Sequence, residues 1–200
     1  MSTPPIHLKA DGRTPRERCY VQNAQQGSRY ASPWPLAWRL RTLAWVIVHA
    51  VAFRPTPKPM KAWRLFILRC FGTRISGVPF VSPSAIIKYP WLLTLEDRAC
   101  LAPHSEVYNL APITLKARST VSQYAYLCAG THDFDDPEQP LVVGPIVVGE
   151  DAFIGAKALV LPGVLLGERS VIAAGAVLSK DTPANSVWGG NPARLIKMRG

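Results

Sequence analysis

The chain has 200 residues, 48% of them hydrophobic and 18% charged, and a formal net charge of +10. That mixture suits one folded domain, with at most an appendage, and excludes an intrinsically disordered chain. The charge is lopsided: residues 1–75 carry 13 Lys and Arg against only Asp11 and Glu17, whereas residues 76–200 are near neutral, which argues against a nucleic-acid binder.

Residues 1–33 are polar, with scattered Pro and Arg, and are expected to be loosely ordered. They lack the charged-then-apolar order of a signal peptide. The four cysteines (Cys19, Cys70, Cys100, Cys128) have no paired spacing, so free thiols in a cytoplasmic protein are expected.

Residues 34–74 read as a basic amphipathic helical pair. Leu36, Leu40, Leu43, Ile47 and Val51 recur at helical spacing across Pro35–Phe53. "RPTPKPM" breaks that helix, and Lys61–Gly72 forms a second one with Gly72 as its stop. The uncharged run Thr42–Phe53 is short of the roughly 20 residues that span a bilayer. Two readings stand: helices packing on the domain, or peripheral contact with the anionic inner face of the cytoplasmic membrane.

From Ile75 aliphatic residues recur at every sixth position. The beat runs through Ile75, Val81, Ile87 and Leu93, then Leu95, Leu101, Val107 and Ile113, then Leu115, Val121 and Leu127. Two-residue slips separate these phases. The longest run is Val148, Ile154, Val160, Leu166, Ile172 and Leu178, with small residues directly after several of them. A period of six fits neither a helix nor a single strand. It fits short strands joined by tight corners, three to a coil, stacked into a parallel β-solenoid. The small residues after the aliphatics are expected to avoid crowding at the corners, where Gly can also take positive φ.

The repeats, with "KYPWLLTLEDRACL", "EVYNLAPITL", "YLCAGTHDFDDPEQPL" and "NPARLIK", resemble the hexapeptide-repeat acyltransferases. Within them the match is to the colanic-acid-biosynthesis (WcaF-type) O-acetyltransferases. More distantly the chain is similar to galactoside, maltose and nodulation acetyltransferases. The resemblance implies a mainly β chain: a left-handed parallel β-helix over 75–200, preceded by the helical segment and ending in a short C-terminal tail. It implies acetyl-CoA as co-substrate, a sugar or glycan acceptor, and a homotrimer with active sites between subunits.

The beat stops at Leu127 and resumes at Ile146 or Val148. Between them the loop 132–145 is polar and Pro-rich, an excursion from a regular scaffold. His132 stands at its root. Acyl transfer from a thioester to a hydroxyl needs a base of pKa about 6–7 beside the hydroxyl, and the resemblance gives His132 that role. The acids that follow read first as a solvated loop; if one of them orients the imidazole, Asp133 is the best candidate. Asn109 aligns with an Asn that contacts the acceptor and the thioester region. For the coenzyme, the resemblance marks Ala156, Ala174, Ser179, Lys180, Arg194 and Lys197. The alanines would leave backbone groups open to the pantetheine arm, and the others would supply a hydroxyl and cations. Ser179 stands where the family usually has Thr, and Phe153 where it often has Trp. No metal is expected: a zinc site of the carbonic anhydrase kind needs three His, and only His104 and His132 lie in the repeats. Cys128 is read as core.

The leading expectation is acetyl-CoA-dependent O-acetylation of a sugar by direct transfer. N-acetylation of an amino sugar and a catalytically silent solenoid scaffold are the alternatives.

Overall fold

The computed structural model describes residues 12–22 and 34–200. Three parallel sheets form the walls of a solenoid. The first wall stacks Arg74–Ile75, Leu93–Leu95, Ile113–Leu115, Ile146–Val148 and Leu165–Leu166. The second stacks Phe80–Val81, Cys100–Leu101, Thr120–Val121, Phe153–Ile154, Val171–Ile172 and Ser186–Gly189. The third stacks Ile86–Ile87, Glu106–Tyr108, Tyr126–Cys128, Leu159–Val160 and Val177–Leu178. The chain visits the walls in that order, so each coil turns a first, a second and a third corner before starting the next.

The sixfold beat is the interior column. Val81, Leu95, Leu101, Val107, Leu115, Val121, Leu127, Val148, Ile154, Val160, Ile172 and Leu178 are all buried. The two-residue slips also have a cause. Several first-wall strands carry two inward aliphatics on either side of an outward residue: Leu93 and Leu95 flank Thr94, and Ile113 and Leu115 flank Thr114.

The corner glycines relieve crowding, as expected, but do not supply the positive φ. Positive φ falls instead on the turn residues Arg98, Arg118, Asp151 and Arg169 at the first corner, and on His104, Tyr124, Lys157 and Gly175 at the second. The glycines are required by close stacking: a Cβ on Gly155 would stand 2.5 Å from the backbone nitrogen of Ala174, and one on Gly149 2.6 Å from the carbonyl oxygen of Leu166. Arg118 also bridges to Glu150 and Asp151 along the first corner.

Two helices seal the start of the solenoid: α2 (Leu36–Val48), which runs on through a wider turn at His49–Phe53, and α3 (Lys61–Cys70). The packed face of α2 is aromatic. Trp45 Nε1 donates to the Ile87 carbonyl at 2.7 Å, and Trp38 meets Tyr89 and Trp91 edge to face. The aliphatic stripe that marks the helix in the sequence faces outward, with Leu36, Leu40, Leu43, Ile47 and Val51 each more than half exposed. Leu36–Phe53 is, among the described residues, the one helix long and apolar enough to cross a membrane by length and composition alone. The fully buried Arg64 ties α3 down, donating to the carbonyls of Val81, Pro57 and Lys58 and to the Thr56 hydroxyl.

The N-terminal segment departs from expectation. Residues 1–11 and 23–33 lie outside the described residues, but 12–22 are docked on the third corner. A helical turn, α1 (Pro15–Arg18), is fixed by a reciprocal capping box between Thr14 and Glu17. Tyr20–Val21 then pairs antiparallel with Leu141–Val143. At the other end, the expected tail is a hairpin: Arg194–Met198 folds back on Ser186–Gly189.

Candidate active site

The excursion after Leu127 is a β-hairpin at the third corner. Gly130–His132 pairs with Leu141–Val143, and the base is closed by the Gly144 N–H donating to the Ala129 carbonyl at 3.0 Å. With Tyr20–Val21 it makes a three-stranded sheet standing off the solenoid. His132 is the last residue of its strand and is exposed. Its Nδ1 lies 2.8 Å from the carbonyl oxygen of Gln139 on the returning arm. A carbonyl can only accept, so Nδ1 carries a hydrogen, and in the neutral ring Nε2 is then the nitrogen with the lone pair.

This replaces the expected role of Asp133. Its Oδ1 accepts the Asp135 N–H at 3.1 Å, while Asp136 Oδ1 accepts the Glu138 N–H at 2.9 Å. The acids shape the hairpin tip, and the imidazole is oriented by backbone. Sequence pattern cannot see such a partner, because any residue supplies a carbonyl.

Asn109 lies in the interior. It is fully buried, and its amide forms a two-way clasp on Tyr89: Oδ1 accepts the Tyr89 N–H at 2.9 Å, and Nδ2 donates to the Tyr89 carbonyl at 2.6 Å. That clasp holds the third corner of one coil to the next, beneath the Trp34, Trp38 and Trp91 rings around Tyr89. The geometry gives Asn109 a structural role and leaves it no access to an acceptor.

The coenzyme candidates divide between two edges of the third wall. Ser179 and Lys180 are exposed at the third corner, the corner that carries His132, two coils farther along. Two coil steps are about 10 Å at the spacing of paired strands. Arg194 pairs with Gly189, and the preceding Ala193 N–H donates to the Val177 carbonyl at 2.8 Å, at the start of the third-wall strand. Ala156 and Ala174 lie at the second corner, on the opposite edge. The Ala156 carbonyl is not open as expected: it accepts the Gly175 N–H at 2.9 Å. Lys197 pairs with Val187 on the second-wall side. A single chain thus splits the set rather than gathering it.

Near Ser179 and Lys180, a cavity of about 320 Å³ runs along the outside of the first wall, lined by Lys116, Val147, Leu165, Glu168, Asp181 and Thr182. Asp181 anchors Arg18, whose guanidinium is buried and also donates to the carbonyls of Gly163 and Arg13. No separate spacing signal marked Arg18; the Thr14–Glu17 capping box was its one local clue.

Cys128 faces the outside of the third wall, not the core, and its thiol donates to the Gly130 carbonyl at 3.1 Å. Burial, contact with Cys128 and nearby Glu106 push the Tyr126 phenol well above its ordinary range, so it stays a hydrogen-bond donor. His104 stacks on Tyr124 at the second corner. Among the described residues no group of three His, Cys, Asp or Glu side chains converges.

The family described as "hexapeptide repeat of succinyl-transferase" matches residues 145–180. The protein named colanic acid biosynthesis acetyltransferase WcaF, of Escherichia coli K12, is 38% identical over 160 residues, covering 80% of this chain and 88% of its own. A hexapeptide-repeat acetyltransferase of Vibrio cholerae, solved with acetyl-coenzyme A, superposes with a TM-score of 0.75 at 21% identity over 86% of this chain and 93% of that one. A maltose O-acetyltransferase of Clostridium difficile 630 gives 0.69 at 22% identity over 80% and 88%.

Proposed function

The chain belongs to the hexapeptide-repeat acetyltransferases, and from that starting point we propose that it moves the acetyl group of acetyl-CoA to a hydroxyl of a sugar or glycan precursor. Use of acetyl-CoA follows from its relatives, one of them solved with that ligand. The names of the relatives, one for colanic acid biosynthesis and one for maltose, support a sugar acceptor.

The observation that carries the reading is the 2.8 Å contact between His132 Nδ1 and the Gln139 carbonyl. It favours the tautomer with the hydrogen on Nδ1, which leaves Nε2 free to serve as the base. In the proposed step the acceptor hydroxyl gives its proton to Nε2 as its oxygen attacks the thioester carbonyl. A new C–O bond forms, the C–S bond of the tetrahedral intermediate breaks, and the thiolate takes the proton back from the imidazolium. Ester and free CoA leave, and the imidazole returns to its starting state. No covalent acyl-enzyme is needed. Asp133 and Asn109 have no part in this step.

A homotrimer completes the proposed site. The coenzyme candidates lie on two edges of one wall, and the cavity beside Asp181 is open. A neighbouring copy would bring one chain's second corner against another's third corner and give the pantetheine arm two walls.

The test is His132→Ala. Release of CoA thiol in the presence of sugar acceptor should fall about 10²–10⁴-fold, with acetyl-CoA binding retained. Mass spectrometry of the wild-type product should show one added acetyl on oxygen. Undiminished turnover by the variant would overturn the assignment of the base.

A further inference from the structure

We propose that the outer face of α2 and α3 is a docking surface for an anionic lipid bilayer, on which the helices lie flat. The face is built in two parts. Its apolar part is the stripe Leu36, Leu40, Leu43, Ile47 and Val51, exposed by 67%, 57%, 56%, 52% and 69%. Phe66 and Trp63 on α3 extend it, stacked on each other with centroids 5.8 Å apart and 55% and 42% exposed. A contiguous aliphatic and aromatic surface of this kind marks an interaction site rather than scattered surface residues.

Its polar part has one sign. From Glu17 to Glu96 the chain contains no Asp or Glu. Arg39, Arg54, Lys58, Lys61 and Arg69 are all exposed along the two helices and the turn between them. Long cationic side chains lay their stems on apolar surface and lift their charge to the headgroup level, and aromatic rings favour the same depth. An apolar stripe edged by cations with no acid is complementary to anionic headgroups over acyl chains.

Charge also decides against the other occupants. A second copy meeting this face with its own would set two acid-free basic surfaces against each other. A membrane-crossing helix would need lipid on every side, and α2 is sealed along its aromatic face. Trp45 is 2% exposed and bonded to Ile87, Phe53 is fully buried, and His49 contacts the Ala85 carbonyl at 3.1 Å. A helix bound along one face and bare along the other lies in the interface plane.

The experiment is sedimentation of the full chain with vesicles of phosphatidylcholine mixed with phosphatidylglycerol, and with vesicles of phosphatidylcholine alone. At low salt the protein should partition onto the anionic vesicles at least about tenfold more strongly than onto the neutral ones, and lose that preference as salt rises. L43E/I47E should weaken partitioning about tenfold or more, since each replaced side chain forfeits its burial in the acyl region. Both positions are more than half exposed, so the melting temperature and thiol release should be those of the wild type. Failure of the wild type to bind anionic vesicles at low salt would overturn the proposal. So would undiminished binding by the double variant. A fall in molecular mass by light scattering in that variant would instead assign the face to contact between copies.

Discussion

The guanidinium of Arg18 and the carboxylate of Asp181, 163 positions apart in the chain, meet as a fork-to-fork pair with one contact at 3.0 Å. Asp181 also accepts the Leu165 N–H at 2.9 Å. One carboxylate therefore joins the N-terminal segment, a first-wall strand and the corner holding Lys180.

Removing that joint should loosen the candidate site. Arg18→Ala is expected to cost about 1–3 kcal/mol, the range for losing charge-assisted hydrogen bonds in a part-buried setting. Amides of Leu141–Val143 should exchange faster in deuterated solvent, because Tyr20–Val21 would no longer be held against them. Unchanged exchange there would mean that the strand pairing alone holds the segment.

Asn109→Ala separates a structural from a chemical role. It strands the Tyr89 N–H in the interior, at about 1–3 kcal/mol for an unsatisfied group, while the Tyr89 carbonyl keeps the Leu92 N–H at 2.9 Å. Thermal unfolding should come earlier, while turnover per folded molecule stays within about threefold of wild type, far from the loss expected of a catalytic group. A loss of turnover with an unchanged melting curve would return Asn109 to the reaction.

Lys180→Ala and Arg194→Ala should weaken acetyl-CoA with little effect on turnover at saturation. Each lost charge-assisted contact to a phosphate is worth about 1.5–3 kcal/mol, or roughly 10- to 150-fold in Kd. Calorimetric titration with CoA and with its dephospho form would show whether either contact is to the 3′-phosphate. Wild-type affinity in both variants would remove them from the site.

The docking of α2 should depend on pH. Burial pushes the His49 imidazole below its ordinary value of about 6.5. In the fold it therefore resists protonation that the unfolded chain accepts. Stability from this group is complete above about 6.5 and is lost as pH falls from there through the folded value. Protection of the α2 amides, with exchange rates corrected for their intrinsic pH dependence, should fall between pH 7.5 and 5.5 in the wild type and stay flat in His49→Gln.

Gly155→Ala tests the stacking argument. The new Cβ would meet backbone at 2.5 Å, which side-chain movement cannot relieve. A loss of about 1–3 kcal/mol is expected, as for overpacking, read by chemical denaturation. At Gly175 a Cβ meets nothing within 4 Å and only the positive φ penalises it, so Gly175→Ala should cost about 1 kcal/mol.

The walls were legible in the sequence because each inward residue answers to one local rule, a buried aliphatic at every sixth position. His132 was legible because it stands where that rule lapses. What the pattern could not convey is set by partners distant in the chain or by groups every residue carries. The Gln139 carbonyl, the Arg18–Asp181 joint and the Asn109 clasp are of this kind. The aliphatic stripe of α2 marked the helix without saying which face packs. Periodicity reports that one side differs from the other, and the aromatic side, with an indole N–H to offer, had more to gain from the solenoid.

The corners differ in how much chain they accept. First and second corners repeat at one constant length through the coils from Arg74 to Leu178, whereas the third corner ranges from a short link at Asn109–Pro112 to the whole hairpin 129–145. Because Gly144 bonds back to Ala129 at 3.0 Å, the coil closes as though the hairpin were absent. The stack registers only where the segment leaves and returns. The hairpin tip can therefore change in length or sequence, as a graft with a fixed socket, without shifting any strand above or below it.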